Sequence, residues 1–143
     1  MYEIKKIDEG HLGLFATENV KEGTVILWLS KDSTYLPYPT RTSIQVKNRH
    51  LEHYEGGCTN HSCNPTAKVV SVMWGLEGRA HFIPFEALSE KSKLNPVLIA
   101  CKDILSGEEI TFDYETTEFE LATPFKCDCH GNWIRGKVHR YQE

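Results

Sequence analysis

The chain has 143 residues, of which 40% are hydrophobic and 25% are charged, close to average usage in globular proteins. This composition predicts one compact domain and excludes a disordered, collagenous or coiled-coil protein. The formal charge of -4 argues against direct binding to a nucleic-acid backbone, and apolar runs such as Val25 to Leu29 are too short to span a membrane.

The first residues lack the apolar stretch of a secretory signal, and the five cysteines cannot all pair within one chain. We therefore expect reduced cysteines and an intracellular protein, with the nucleus and the cytoplasm both open. The sequence also leaves open whether the protein is a monomer or a dimer.

Short strands separated by turns are predicted along most of the chain, in the order Tyr2 to Ile7, Leu14 to Ala16, Thr24 to Leu29, Ser43 to Val46, Lys68 to Trp74, Arg79 to Ile83, Pro96 to Cys101 and Glu109 to Tyr114. Ser30 to Thr42 is rich in Ser, Thr, Tyr and Pro and is predicted as a long loop. Short helices are predicted over Asn48 to Tyr54 and over Phe85 to Lys93. The elements together indicate a mainly β domain of mostly antiparallel strands with small helical insertions.

Two segments stand out by residue type. Asn60-His61-Ser62-Cys63-Asn64-Pro65 places polar side chains around a turn between two predicted strands, which fits either a site or a self-satisfied Asx turn. Gly107 to Tyr114 is a turn followed by a strand with Ile110, Phe112 and Tyr114 on one face, which by itself is typical of core residues.

The order and spacing of four segments resemble the SET-domain protein-lysine methyltransferases. The segments are Gly13-Leu14-Phe15-Ala16, Asn60 to Pro65, Gly107 to Tyr114, and Pro124 to Cys129 followed by Arg135-Gly136. The resemblance implies the SET-domain fold, a β-clip-like arrangement of short antiparallel strands with a threaded C-terminal segment. It implies a SET domain over residues 1–116 and a post-SET-like tail over residues 117–143, both within one compact unit.

The activity that the resemblance implies is methylation of a lysine ε-amine in a protein by S-adenosylmethionine (SAM), with di- or trimethylation as the product. We expect the substrate to be a histone or another protein with a basic segment. The acidic residues Glu115, Glu118 and Glu120 either attract that basic segment or form an ordinary solvated acidic stretch. An alternative from another class is a SET-like module with weak or no activity that binds a basic peptide or the cofactor.

Tyr114 is the principal catalytic residue that the resemblance implies, because a tyrosine at this position closes the lysine channel. Phe112 occupies the position that sets how many methyl groups are added, and phenylalanine leaves room for more than one. Tyr35 and Tyr38 are candidates for a second aromatic residue in the channel. Cofactor-binding residues carried over from the family are Leu12, Gly13, Leu14, Asn60 and His61. The family usually has a second glycine where this chain has His11, which weakens the assignment of Leu12.

Many relatives hold one zinc ion with the cysteine of the central motif and three cysteines of the tail. Cys63, Cys127 and Cys129 match three of these ligands, but Ile134 stands at the position of the fourth. His130 is a substitute ligand, although its place next to Cys129 makes tetrahedral geometry awkward. Zinc is therefore doubtful on the sequence alone, and the other explanation is that these cysteines are ordinary buried thiols.

Overall fold

The structure is a computed structural model that describes residues 1–89 and 93–140. The strands in this part are β1 Tyr2–Asp8, β2 His11–Ala16, β3 Val25–Trp28, β4 Thr34–Leu36, β5 Ile44–Val46, β6 Arg49–Glu52, β7 Asn60–His61, β8 Ala67–Trp74, β9 Ala80–Ile83, β10 Pro96–Ala100, β11 Glu109–Phe112, β12 Phe125–Lys126 and β13 Trp133–Ile134. Two short helices, α1 Tyr54–Gly57 and α2 Lys137–Arg140, and 3₁₀ turns over Phe85–Ala87 and Tyr114–Thr116 complete it. This mainly β architecture confirms the predicted fold class.

The strands form small sheets, which are ordered β1-β2-β11-β7, β3-β10-β8-β9, β4-β6-β5 and β12-β13. Most neighbouring strands are antiparallel, as short turns between them require. One pair is different: β7 lies parallel to β11, with Asn60 opposite Thr111 and His61 opposite Phe112. Because a parallel pair needs a long connection, this register brings two motifs that are distant in sequence side by side.

The main core lies between the sheets and is built from apolar residues of the strands and of the segment that precedes β11. Leu14, Leu29, Leu51, Ile104 and Ile110 are each 0% exposed. Phe112 belongs to the same cluster, and Tyr114 packs against its edge. Among the described residues, no helix is long and apolar enough to span a membrane.

The helix predicted over Asn48 to Tyr54 is wrong for most of its length. Arg49–Glu52 is strand β6, which lies between β4 and β5, and its backbone hydrogen bonds on both sides decide the conformation. Lys47 and Asn48 form a tight turn between β5 and β6, in which Lys47 has φ +61°. Helix α1 begins only at Tyr54, where the Nδ1 atom of His53 accepts a hydrogen bond from the Gly56 N–H at 3.0 Å.

Two other predicted segments differ from the structure in part. The long loop over Ser30 to Thr42 contains strand β4, which pairs with β6. The helical segment predicted over Phe85 to Lys93 is a 3₁₀ turn over Phe85–Ala87, and residues 90–92 lie outside the described part of the chain.

The C-terminal tail is fixed to the domain by a buried carboxylate. The Oε2 atom of Glu115 accepts hydrogen bonds from the backbone N–H groups of Arg135 at 3.2 Å and Gly136 at 3.1 Å. Gly136 has φ +126°, and a Cβ atom there would lie 2.3 Å from the carbonyl oxygen of Phe119. Only glycine fits this backbone conformation and this close contact, so Gly136 is required where the tail meets the domain.

Candidate functional site

Strand β11 ends at Phe112, and Tyr114 is the first residue of the 3₁₀ turn that follows. The side chain of Asp113 accepts from the Glu115 N–H at 3.0 Å and caps the turn. The 3₁₀ turn interrupts the strand, although Tyr114 still packs against the core cluster that contains Ile110 and Phe112. The strand predicted to reach Tyr114 therefore ends at Phe112.

The phenol of Tyr114 is buried, and its hydroxyl donates a hydrogen bond of 2.6 Å to the carbonyl oxygen of Thr59. Burial, and next the negative charge of Glu118, raise the pKa of the phenol far above its ordinary value of 10.0. Tyr114 therefore stays a neutral phenol at any physiological pH and does not act as a phenolate base. With its proton donated to Thr59, its oxygen lone pairs are left to accept a hydrogen bond from a ligand.

His61 contacts both the backbone and the ring of Tyr114. Its Nδ1 atom accepts a hydrogen bond of 3.0 Å from the backbone N–H of Tyr114, and its side chain is 3% exposed. Its ring makes edge contacts with the rings of Tyr114, at 5.3 Å, and Phe125, at 5.6 Å. The imidazole thus lies inside the aromatic cluster and positions Tyr114.

Phe112 completes this aromatic cluster, with its ring centroid 5.0 Å from that of Tyr114. It is 2% exposed and also belongs to the main core. The two roles that the sequence allows for Phe112, core residue and wall of the site, are therefore compatible.

Asn60 lies beside this cluster with its side-chain amide held by several partners. Its Nδ2 atom donates to the carbonyl oxygen of Leu12 at 2.9 Å and to Oε2 of Glu109 at 2.8 Å. Both partners are pure acceptors, so the amide orientation is determined and Oδ1 faces Nε2 of His11 at 3.2 Å. Thr111 opposite Asn60 in the β7–β11 pair fixes the backbone from which this side chain projects.

The three residues taken from the first glycine motif occupy different environments. Leu12 lines the cleft described below, next to Gly10 and His11. Leu14 is fully buried in the core and does not line it. Gly13 does not line it either, and a Cβ atom there would lie 2.7 Å from Cδ1 of the exposed Ile7 side chain and 2.9 Å from Oε2 of Glu109. The structure therefore brings only Leu12 of this group to the cleft.

A cleft of about 710 Å³ joins these elements, within the size range of small-molecule sites. Its walls come from the β1–β2 turn, the segment after β4, helix α1, strand β7, the end of β11 and the tail; the central residues are His11, Leu12, Asn60, His61, Phe112, Tyr114 and Phe125. Tyr35 and Tyr38 do not line it, and Tyr38 is 59% exposed. The cleft thus joins the central motif, the C-terminal motif and the tail in one cavity.

The acidic residues after Tyr114 are not a solvated patch. Glu115 and Glu118 are both buried and accept hydrogen bonds from backbone N–H groups. Glu118 lines the cleft and accepts from Gln45 N at 2.6 Å and from the Thr117 hydroxyl at 2.8 Å. Burial raises the pKa of Glu118 to about 7. The interpretation as a solvated acidic stretch is therefore wrong for Glu115 and Glu118, and of the three residues only Glu120 is exposed.

Two of the three predicted thiol ligands, Cys63 and Cys127, lie side by side, and Cys127 and Cys129 line the cleft. The Sγ atoms of Cys63 and Cys127 are 3.4 Å apart, and the backbone N–H of Cys129 points to the Cys127 sulfur at 3.4 Å. Burial, and next the hydrogen bond with Cys127, raise the pKa of Cys63. Nε2 atoms of His61, at 3.4 Å, and His130, at 3.2 Å, also approach the Cys63 sulfur.

These residues do not complete a four-ligand zinc site. Nδ1 of His61 accepts from Tyr114 N, and Nδ1 of His130 accepts from Asn132 N, so each Nε2 atom carries the proton. An Nε2–H group donates to a thiolate but has no lone pair for a metal ion. Among the described residues, one donor atom each of His61, Cys63 and Cys127 lies within 4.8 Å of the other two, and this group fits a zinc ion only if Nε2 of His61 gives up its proton.

Two contributors to the site were not assigned from the sequence. Glu109 binds the Asn60 amide, although as the first residue of a strand it gave no signal of its own. Thr59 contributes through its carbonyl oxygen, which any residue type provides, so only the structure reveals it.

Comparisons with known proteins agree with this arrangement. The family model described as SET domain matches residues 11–115. A curated relative, the histone-lysine N-methyltransferase, H3 lysine-36 specific, of Eremothecium gossypii, is 36% identical over 83 residues, which is 54% of this chain and 10% of that protein. The chain thus spans about a tenth of the length of this relative.

Solved structures share the fold at low sequence identity. KRYPTONITE in complex with mCHH DNA, an H3(1-15) peptide and S-adenosylhomocysteine (SAH) gives a TM-score of 0.61 at 15% identity, covering 90% of this chain and 27% of that chain. A candidate histone methyltransferase of Plasmodium falciparum gives a TM-score of 0.52 at 21% identity, covering 80% of this chain and 96% of that chain. The matched residues include β2, β7 and β11, the strands that carry the walls of the cleft. The chain therefore belongs to the SET domain family.

Proposed function

We propose that the protein is a protein-lysine N-methyltransferase that uses SAM and adds more than one methyl group to a lysine of a histone. The observation that carries this proposal is the cleft in which Asn60, Phe112 and Tyr114 meet. The relative specific for H3 lysine 36 supports a histone as the substrate class, and a histone substrate would place the protein in the nucleus.

The cleft suits the amino-acid end of SAM by the chemistry of its donors and acceptors. The carbonyl oxygen of Leu12 and Oδ1 of Asn60 are acceptors for an ammonium group, and the carboxylate of Glu109 adds a negative charge beside them. His61 holds Tyr114 through its imidazole, and we propose that its backbone contacts the adenine end. When bound, SAM supplies the methyl group and the positive sulfonium. Gly13 and Leu14 support this wall from behind and are not proposed to contact the cofactor directly.

The substrate lysine must lose its proton before it accepts a methyl group. A free lysine has a pKa of about 10.4, so the neutral amine costs about 4 to 5 kcal/mol at pH 7. The apolar rings of Phe112 and Tyr114 exclude water from the end of the cleft and disfavour the ammonium form. The Tyr114 oxygen then accepts an N–H of the neutral amine and orients its lone pair, because the Tyr114 proton is committed to Thr59.

The first test is calorimetric titration with SAH. We expect one-to-one binding by the wild type and at least about tenfold weaker binding by Asn60→Ala. Asn64→Ala is the matched control, because Asn64 is exposed, bonds Lys102 at 3.1 Å and does not line the cleft. Absence of SAH binding by the folded wild type would instead favour a SET-like module that binds a basic peptide without turnover.

The second test measures the reaction itself. Wild-type protein, SAM and histone H3 are incubated, and the products are identified by mass spectrometry. Di- and trimethyl-lysine on one site is the expected result, because Phe112 has no hydroxyl to restrict a methylated amine. Methylation of other basic proteins but not of H3 would preserve the enzyme class and overturn the histone assignment.

A further inference from the structure

We infer that His11, which stands where the family usually has a glycine, is a positioning residue that fixes the Asn60 amide for cofactor binding. This inference rests on the proposed function, because Asn60 matters only if the cleft binds SAM. It concerns a residue that the family pattern does not predict for this task.

The first observation is that each polar atom of the Asn60 side chain has a partner. Its two N–H groups are both used, one on the Leu12 carbonyl and one on Glu109. Its single carbonyl oxygen is approached by Nε2 of His11 at 3.2 Å. An amide held at both ends cannot rotate, so its Oδ1 atom points in one direction.

The second observation is that His11 is itself oriented. Its Nδ1 atom lies 3.7 Å from Oδ1 of Asp8, on the opposite side of the β1–β2 turn. Gly10 has φ +73° and makes the tight turn that brings Asp8 and His11 into register. The Asp8 carboxylate thus faces one ring nitrogen and the Asn60 amide oxygen faces the other, in a chain of side chains from Asp8 to Asn60.

The third observation is that this chain ends in the cleft. His11 lines the cleft together with Asn60, and the His11 side chain is 50% exposed. A half-exposed ring contributes little to the core, so its loss is expected to affect the site more than the fold. The oxygen of Asn60 has two lone pairs, and with His11 on one of them the other is aimed at a ligand.

The cofactor measurement uses His11→Ala and His11→Gln. We expect His11→Ala to raise the Kd for SAH and the KM for SAM about 3- to 10-fold, with kcat at saturating SAM and the thermal midpoint unchanged. Glutamine carries an N–H at a similar reach, so His11→Gln is expected to recover binding to within about twofold of wild type. In an Asn60→Ala background, His11→Ala should cause no further loss, because the two residues act through one contact.

A second readout does not require the cofactor. In the ligand-free protein, the side-chain NH₂ resonances of Asn60 are expected to shift and broaden in His11→Ala and to return in His11→Gln, while other Asn side chains stay unchanged. Unchanged Asn60 resonances, or additive effects in the double variant, would overturn the role of His11. If the wild type does not bind SAH but the Asn60 resonances respond, the proposed function fails and the His11 contact stands.

Discussion

The hydroxyl of Tyr114 has one proton and two lone pairs, and the structure assigns them to different tasks. The proton is donated to Thr59, and burial holds the pKa of the phenol so high that the proton stays in place. In the proposed reaction, Tyr114 therefore acts by orienting the amine and not by abstracting a proton. The Thr59 residue that accepts this proton is itself held in place, because its side chain donates a hydrogen bond of 3.0 Å to the Glu55 carbonyl oxygen.

Removal of the Tyr114 hydroxyl tests whether it orients the substrate amine in the proposed reaction. We expect Tyr114→Phe to lower kcat about 10²-fold or more, because a preorganised contact to the reacting group is lost. SAH binding should change little, since Asn60 and Leu12 are untouched. Tyr35→Phe is the matched control, because Tyr35 lies outside the cleft. Wild-type turnover by Tyr114→Phe would exclude Tyr114 as the catalytic residue.

Phe112 offers a second test at the same scale. A hydroxyl introduced by Phe112→Tyr would lie in a buried aromatic cluster and seek a partner among water or the substrate amine. We expect the product to shift toward monomethyl-lysine, as measured by mass spectrometry over a full time course. Continued formation of trimethyl-lysine at the wild-type rate would remove Phe112 from control of product degree.

At the scale of elements, strands with an alternating apolar pattern were predicted from the sequence. Strands whose conformation depends on pairing with other strands were not. Strands β1, β8 and β10 were predicted nearly in full, because alternation and flanking turns mark them. β6 was predicted as a helix, because its strand conformation comes from β4 and β5 on either side. The resemblance implied a threaded C-terminal segment, but the pairing of β7 with β11 was not predicted, since two residues carry no periodic signal.

The candidate site shows the same division. Asn60, His61, Phe112 and Tyr114 were named from the sequence, and all four line one cleft. Their hydrogen-bond partners were not predictable, because backbone carbonyls and the half-buried Glu109 are identified by position in space and not by residue type. Their individual roles in binding and turnover remain the subject of the experiments described here.

The junction between the tail and the domain depends on Gly136. Gly136→Ala should undock the tail, because the Cβ atom would overlap the Phe119 backbone, and the unfolding free energy should fall by at least about 2 kcal/mol. Hydrogen exchange at β12 and β13 is the direct measurement. Gly131→Ala is the control: Gly131 also has positive φ, at +73°, but a Cβ atom there meets nothing within 4 Å. Equal effects of both substitutions would show that backbone strain alone, and not the contact, is responsible.

The thiol cluster makes a prediction about metal content. In the described part of the chain, the clustered donor atoms come from two cysteines, Cys63 and Cys127, and from His61, so we expect less than one zinc ion per purified chain and rapid loss to a chelator. Elemental analysis before and after chelation measures this. One zinc ion per chain that resists chelation would mean that His61 or His130 has changed tautomer and given up its backbone hydrogen bond.

At the scale of the whole molecule, Glu118 links stability to pH. Its pKa is about 7 in the folded protein, against an ordinary value of 4.5. The folded state therefore binds more protons than the unfolded state between these values, so stability falls as pH rises through this range. Glu118→Gln keeps an acceptor for the Gln45 N–H and has no charge to bury.

We expect the free energy of unfolding of the wild type to fall relative to Glu118→Gln by up to about 3 kcal/mol between pH 4.5 and 7. Chemical denaturation of both proteins across this range measures the difference, and the other titrating groups cancel in the comparison. A difference that is independent of pH would show that Glu118 is ionised throughout.

The parallel pairing of β7 with β11 also sets the order in which a newly made chain acquires its binding site. His61 and Tyr114 are 53 positions apart, and neither has its partner until the later segment has left the ribosome. Closing so long a loop costs entropy before any contact repays it, which places this step late in folding. A ligand added during translation can therefore rescue an unstable variant only after β11 and the tail are in place, and it cannot act as a template for the first half of the chain.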